Sequence, residues 1–357
     1  MDLDESIPDN KIIGVAVYLQ GKYKDKKVIL VSQDINMRVK ASVLGIFVEN
    51  FDREVDVDTE DDGFYKGYIK IEVTGKEINQ LCRTKKLILR QKNLVLYPHQ
   101  FVILQAVENK SQSAIAKVVD ADKKMITLFR SPDAVFGVIP KNLEQRMALS
   151  LLLDPEVKVI TLAGVAGTGK TLLALAASLH LVLNMGNYSK IIVTRPTVAF
   201  GEDKIGFLPG EKEKKLEPWM GAIFDNLRFL FKKRSINNSS VRKMVFPDIK
   251  TILSEGILEL ESLAYMRGRS IFDSIVIVDE AQNLTPKKVK TIITRCGENS
   301  KFIFTGDPWQ IDDPYLDIYN NGLTVLIEKS KKIDFAGHIF FSKSERSEVA
   351  KTYAEIL

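Results

Sequence analysis

Eight consecutive residues carry the clearest chemistry in this sequence: Gly164, Val165, Ala166, Gly167, Thr168, Gly169, Lys170 and Thr171. Their spacing is GxxxxGK[ST], and they stand between an apolar run of strand length, residues 157–162, and a helix-like stretch, residues 172–183. Glycines at these positions let the backbone turn tightly and aim its N–H groups at phosphate oxygens, and a helix N-terminus adds partial positive charge. Lys170 would reach the β- and γ-phosphates of a nucleotide, and the Thr171 hydroxyl would ligate Mg²⁺. The plain alternative is a glycine-rich turn with no ligand.

About 110 residues later comes Ile275-Val-Ile-Val-Asp279-Glu280, four apolar residues and then two acids. Asp279 would hold the Mg²⁺ through water and Glu280 would orient an attacking water. Ala281-Gln282 extends the motif to DEAQ. Residues 302–305 read as a further buried strand, ending in Gly306-Asp307-Pro308-Trp309-Gln310. Polar side chains there, Gln310 among them, could sense a γ-phosphate. Gln145, one helix upstream of the phosphate loop, is placed to bond an adenine edge, or is an ordinary helix residue. Arg195-Pro196-Thr197 follows the apolar run 191–194, on the sheet edge where open α/β folds bind ligands. Arg346, in Ser344-Glu345-Arg346-Ser347, reads equally as an arginine finger or as a helix-capping partner of Glu345. No Asn-Lys-x-Asp guanine signal follows the loop, so ATP is preferred to GTP.

The elements that position these residues span 357 residues, enough for two or three domains. No run of about 18 uncharged apolar residues occurs, so no membrane segment is expected. The amino terminus is acidic without an apolar core, unlike a secretory signal. Two cysteines, Cys82 and Cys296, suit a reducing, cytoplasmic setting, and with three histidines they make a zinc site an unlikely use. The net charge is +5, unevenly spread: residues 1–62 hold 8 Lys/Arg against 14 Asp/Glu, so the remainder is distinctly basic. That is compatible with a nucleic-acid partner or with simple solubility.

Residues 12–19 read as a helix, 28–32 as a buried strand, 34–41 as a helix with Asp34 near its cap, and 45–48 as a short strand. Asp9 and Asp34 are therefore helix caps or a pair of metal-binding carboxylates. Residues 58–63 half-match a calcium loop, but the last ligand position falls on Ile69, so a solvated acidic linker is expected. Residues 68–73, 94–97, 101–107 and 125–130 read as short strands of a small β-barrel or sandwich. A helix is expected through residue 153 and another to about 231. Residues 232–243, basic and polar, are expected to form a surface loop.

Taken together, the motifs resemble the PhoH family of ATPases. The stretches that carry the resemblance are Asn142-Leu-Glu-Gln145, AGVAGTGKTLLALAA, RPTVAFGEDKIGFLPGEKEKKLEPWM, RGRS, IVDEAQNLTPKKVKTIITRCG, TGDPWQIDDPYLD and SERSE. It implies an α/β fold: a RecA-like P-loop NTPase domain with a parallel sheet over residues 138–357. Before it would come a small β-rich module (64–135), an acidic linker (56–63) and a partial PIN-like α/β segment (1–55). It further implies ATP hydrolysis with ATP and Mg²⁺, single-stranded RNA as partner, and a homo-oligomeric ring in which Arg346 could act in trans. Residues 8–13 and 31–41 are similar to the later part of a PIN nuclease domain, which makes Asp9 and Asp34 the last two acids of a metal site. The strand with Asp-Thr-Asn that opens the family pattern, and an intervening Glu, have no counterpart here. Nuclease activity is then lost, or a separate polypeptide completes the domain. The expected function is an RNA-linked ATPase, a helicase or remodeller. Its rivals are a PIN-type ribonuclease served by the ATPase and a P-loop kinase of small molecules, which DEAQ and GDPWQ disfavour.

Overall fold

The computed structural model describes residues 8–24, 26–32, 35–49, 64–196, 220–237, 248–263, 268 and 270–345, without the side chains of 35–36 and 234–237. The chain forms two compact units, residues 1–56 and 57–357.

The first unit is a βαβ element behind a leading helix. Helix α1 (Pro8–Lys22) precedes β1 (Ile29–Val31), α2 (Ile35–Val43) and β2 (Phe47–Glu49). β1 and β2 pair in parallel with Ile29 opposite Phe47. Ile13, Leu30, Met37, Ala41 and Ile46 make its core.

The second unit begins with a mixed five-stranded sheet. Its strands are β3 (Tyr68–Val73), β4 (Lys86–Ile88), β5 (Phe101–Ala106), β6 (Ser113–Asp120) and β7 (Met125–Leu128), in the order β3-β5-β6-β7-β4. This is an open sheet, not the barrel or sandwich expected, and residues 94–97 are not a strand. The reason is α3 (Gly75–Thr84), closed at its start by a reciprocal Thr74–Glu77 capping box. That helix carries the chain across the sheet so that β3 pairs with β5 in parallel. Alternation along a strand does not encode its partner.

The larger sheet is wholly parallel. Its strands are β8 (Val159–Gly164), β9 (Lys190–Thr194), β10 (Leu258–Glu261), β11 (Ser274–Val278), β12 (Ser300–Gly306) and β13 (Ala336–Phe341), in the order β10-β9-β11-β12-β8-β13. All-parallel strands are covered on both faces and read as continuous apolar runs. Alternate side chains accordingly enter two cores. Ile160, Leu162, Ile275 and Ile277 face one, with α4 (Leu143–Leu153), α5 (Lys170–Leu179) and α6 (Gly221–Asn237). Val159, Val276, Val278, Phe302 and Phe304 face the other, with α8 (Pro286–Ile293) and α9 (Gly322–Ser330). The short α7 (Ile249–Ser254) leads into β10. Helix α6 continues to Asn237, so its last turns occupy part of the loop expected from residue 232.

The two sheets of this unit share packing. Phe101 of β5 lies in the core of the large sheet. The Phe340 N–H donates to the Lys66 carbonyl at 3.0 Å, so the chain entering β3 runs along the edge strand β13.

Candidate active site

β8 delivers the phosphate loop through Gly164, whose φ of 139° is open to glycine; a Cβ there would collide with the Phe341 carbonyl. Gly169 (φ 92°) caps α5, so the helix starts at Lys170 and its first N–H groups face the loop. The Lys170 ammonium is buried and donates to the carbonyls of Gly164 (2.6 Å) and Val165 (2.9 Å). It folds back over the loop it belongs to.

Sheet order brings the two acidic and phosphate-binding motifs together. β12 lies between β8 and β11, so three strand ends meet at one edge. Oδ1 of Asp279, a buried residue, accepts from the Thr171 hydroxyl at 2.7 Å and from the Thr305 hydroxyl at 2.5 Å. Thr305 was not singled out by sequence reasoning, which had no way to know that its strand would insert there.

Glu280 stands next, in a left-handed conformation (φ 54°) that is unusual for a residue with a side chain. Its carboxylate accepts from Arg195 Nη2 at 3.2 Å and from Gln282 Nε2 at 2.7 Å. Gln282 is almost wholly buried. Its Nε2 also donates to the Gln310 carbonyl (2.8 Å), and its Oε1 accepts from the Asp307 N–H (3.1 Å). It ties the DEAQ motif to the GDPWQ loop. The motif was visible in the sequence, but the tie needs the fold. Gln310 lines the cleft with Ala166, Gly167, Lys170, Thr171, Asp279, Glu280 and Asp307, and the cleft volume is about 210 Å³.

Gln145 is buried against the same loop. Its Nε2 donates to the Thr168 carbonyl (3.0 Å), and its Oε1 accepts from the Lys141 N–H (2.8 Å). Here it braces the loop with one of its two N–H donors and one of its two acceptor lone pairs. Its neighbour Glu144, which sequence reasoning passed over, accepts from Tyr68 OH (3.1 Å), Ser342 N–H (3.0 Å) and Ser342 OH (2.6 Å). Burial, and then the Glu144 charge, push the Tyr68 hydroxyl up to about 12. This lock fixes the chain leaving β13. Three residues on, the Glu345 N–H donates to the Gly167 carbonyl (3.0 Å), and its carboxylate accepts from Asn142 Nδ2 (2.8 Å).

Arg346 and Asp34 lie outside the described residues. Asp9 lies in the first turn of α1. Among the described residues, no group of three or more His, Cys, Asp or Glu side chains is arranged to hold a metal. The oxygen donors of Thr171 and Asp279 do converge beside the phosphate loop, and hard oxygen ligands of this kind suit Mg²⁺. No helix among the described residues is long and apolar enough to cross a membrane.

A parallel sheet with the P-loop strand and the acidic strand flanking a third, and with all three motifs at one edge, defines a P-loop NTPase core. The family model described as PhoH-like protein matches residues 137–357, and one described as PIN domain matches residues 2–52. Protein PhoH2 of Bacillus subtilis (strain 168) is 41% identical over 361 residues, covering 99% of this chain and 78% of that one. Protein PhoH2 of Mycolicibacterium smegmatis is 34% identical over 349 residues, covering 98% and 74%. The chain belongs to the PhoH-like protein family. Among solved structures, the Pif1 helicase from Candida albicans overlaps 61% of this chain and 43% of its own, with 15% identity and a TM-score of 0.31. So loose an overlap adds nothing to the assignment, which rests on the sheet order and the family match.

Proposed function

We propose that this chain is an RNA-dependent ATPase that unwinds or remodels RNA. The observation that carries the ATPase part is the convergence of the Thr171 and Thr305 hydroxyls on Oδ1 of Asp279 beside the phosphate loop. Lys170 would neutralise the β- and γ-phosphates, and the loop's N–H groups would cradle them. Thr171 and Asp279 would hold Mg²⁺, which when bound supplies a Lewis acid to the phosphate oxygens. Glu280 orients the attacking water. Gln310 and Arg346 respond to the γ-phosphate.

RNA as partner is supported by the basic remainder beyond residue 62 and by lysine–aromatic pairs on the first unit. There the Lys22 ammonium lies 5.7 Å from the Tyr18 ring and 5.6 Å from Tyr23, and that of Lys27 lies 4.2 Å from Phe47. All three rings are exposed, which suits stacking on unpaired bases. ATP turnover by purified protein, with and without single-stranded RNA, tests the reading. Turnover should rise with RNA and vanish in Lys170→Ala, whereas turnover indifferent to RNA would sink the RNA dependence. A homo-oligomeric ring belongs to the same proposal and is checked by light scattering with and without ATP.

The PIN match over residues 2–52 favours a second reading, in which the ATPase serves a ribonuclease. Asp9 and Asp34 would be metal ligands, and a separate polypeptide could complete the site. Metal-dependent RNA cleavage that is lost in Asp34→Ala would support it, and no cleavage with any added divalent metal would count against it.

A further inference from the structure

A carboxylate that orients water must offer that water a lone pair along the line of attack. Each Glu280 oxygen accepts one hydrogen bond, Oε1 from Arg195 and Oε2 from Gln282, so these two contacts set which way its remaining lone pairs point. The two partners differ in kind. Gln282 is 1% exposed and is bonded in turn to Gln310 and Asp307, so it is part of the frame. The Arg195 side chain is 31% exposed and meets Glu280 through one nitrogen and one oxygen at 3.2 Å, not as a two-bond fork. The backbone beneath the pair is fixed, since Thr194 pairs with Val278 and the Asp279 N–H donates to the Thr194 carbonyl at 2.9 Å. Of the two contacts on Glu280, the arginine's can be released without disturbing the tie from Gln282 to the Asp307 and Gln310 backbone.

We propose that Arg195 is a positioning residue that latches Glu280 away from water, and that a nucleic-acid phosphate draws it off. Arg195 stands at the carboxyl end of β9, next to β11, on the sheet edge that carries the phosphate loop. Guanidinium binds carboxylate and phosphate with the same donor geometry. Exchanging one for the other keeps the cation paired and releases the Glu280 carboxylate to turn toward water, so RNA binding and water activation are coupled through one side chain. The coupling rests on the reading of Glu280 as the water-orienting residue and of RNA as the partner.

The test is steady-state ATP turnover, with and without oligouridylate, by the full chain and by Arg195→Gln and Arg195→Lys. The contact is partly exposed, so removing it should raise RNA-free turnover in Arg195→Gln by about two- to fivefold. The ratio of rates with and without RNA should fall toward one. Arg195→Lys, which keeps the charge but not the planar donors, should lie between. An RNA-free rate in Arg195→Gln that is unchanged or lower overturns the latch, and a fall in both rate and melting temperature marks a merely structural contact. If Arg195→Gln does not fold, a wild-type ratio in Arg195→Lys overturns it. A wild-type chain indifferent to RNA removes RNA as the releasing ligand and the RNA-dependent reading together; that failure is seen before any variant is compared.

Discussion

β1 and β11 are both short, parallel, β-branched strands, yet they end in opposite surroundings. Every residue of β11 is buried. In β1 only Leu30 is, while Ile29 is 39% and Val31 49% exposed, and Phe47 opposite Ile29 on β2 is 55% exposed. β11 has helices over both faces, and β1 packs one face against α1 and α2. An apolar parallel strand is a demand for two-sided cover, and the two units meet that demand to different degrees. The same contrast separates their sites. The phosphate site is held by hydrogen bonds from three strands, whereas Asp9 sits at a helix start.

The largest expected effect belongs to the well-built unit. Lys170→Ala should lower ATP turnover by about 100-fold or more, measured as phosphate release. Retained turnover would mean that the convergence around Asp279 is not catalytic. Next is core truncation. Phe304→Ala, at a fully buried position, should cost about 3–5 kcal/mol, while Leu30→Ala should fall near the low end for such changes, about 2 kcal/mol. Denaturant melts should show the second loss confined to an early transition. A single transition shared by both variants would erase the contrast.

A pH dependence distinguishes the units further. Burial holds the His338 imidazole down at about 3, so the folded second unit keeps it neutral, while the unfolded chain binds a proton near the ordinary value of 6.5. Stability from this residue is present above pH 6.5 and is lost as pH falls toward 3, on the order of 2 kcal/mol by pH 5. The first 56 residues contain no histidine, so their transition should lack this component. Replacing His338 with Gln should reduce the slope, leaving the part carried by His99, which burial also holds below its ordinary value; an unchanged slope would mean that His338 does not carry it. The smallest effect is Ile29→Thr or Val31→Thr, expected within about 0.5 kcal/mol if that face is open to water. A loss above about 1 kcal/mol would mean that it is covered in solution.

Much of the second unit was legible, because its chemistry lies in contiguous motifs whose flanks announce strand and helix. The apolar runs before Gly164, Asp279 and Gly306 are β8, β11 and β12, and the run ending at Thr194 is β9. The mixed sheet was less legible. β4 is only three residues long, β6 buries small alanines, and α3, although Thr74-x-x-Glu77 marks its start, buries only Ile78 and Leu81; all three were missed. β13 was missed as well, since Gly337 and His338 break its apolar run. At the site, Thr305, Glu144 and Ser342 carried no signal of their own, being single polar residues whose partners lie 26 to 198 positions away.

By itself the sequence determined the local chemistry: a loop whose glycines and lysine suit phosphate, an acidic pair after an apolar strand, and an acidic stretch up to residue 62 followed by a basic remainder. These depend on neighbours within a few bonds, where residue type fixes backbone freedom and charge. The tertiary structure alone decided that β12 inserts between β8 and β11, so that Thr305 meets Asp279 and Gln282 joins Glu280 to the Gln310 loop. It also decided that Arg195 closes on Glu280 and that Glu345 returns to the phosphate loop. Strand order is set by which apolar faces pack best across the whole sheet, and that competition among distant segments leaves no mark on any one of them.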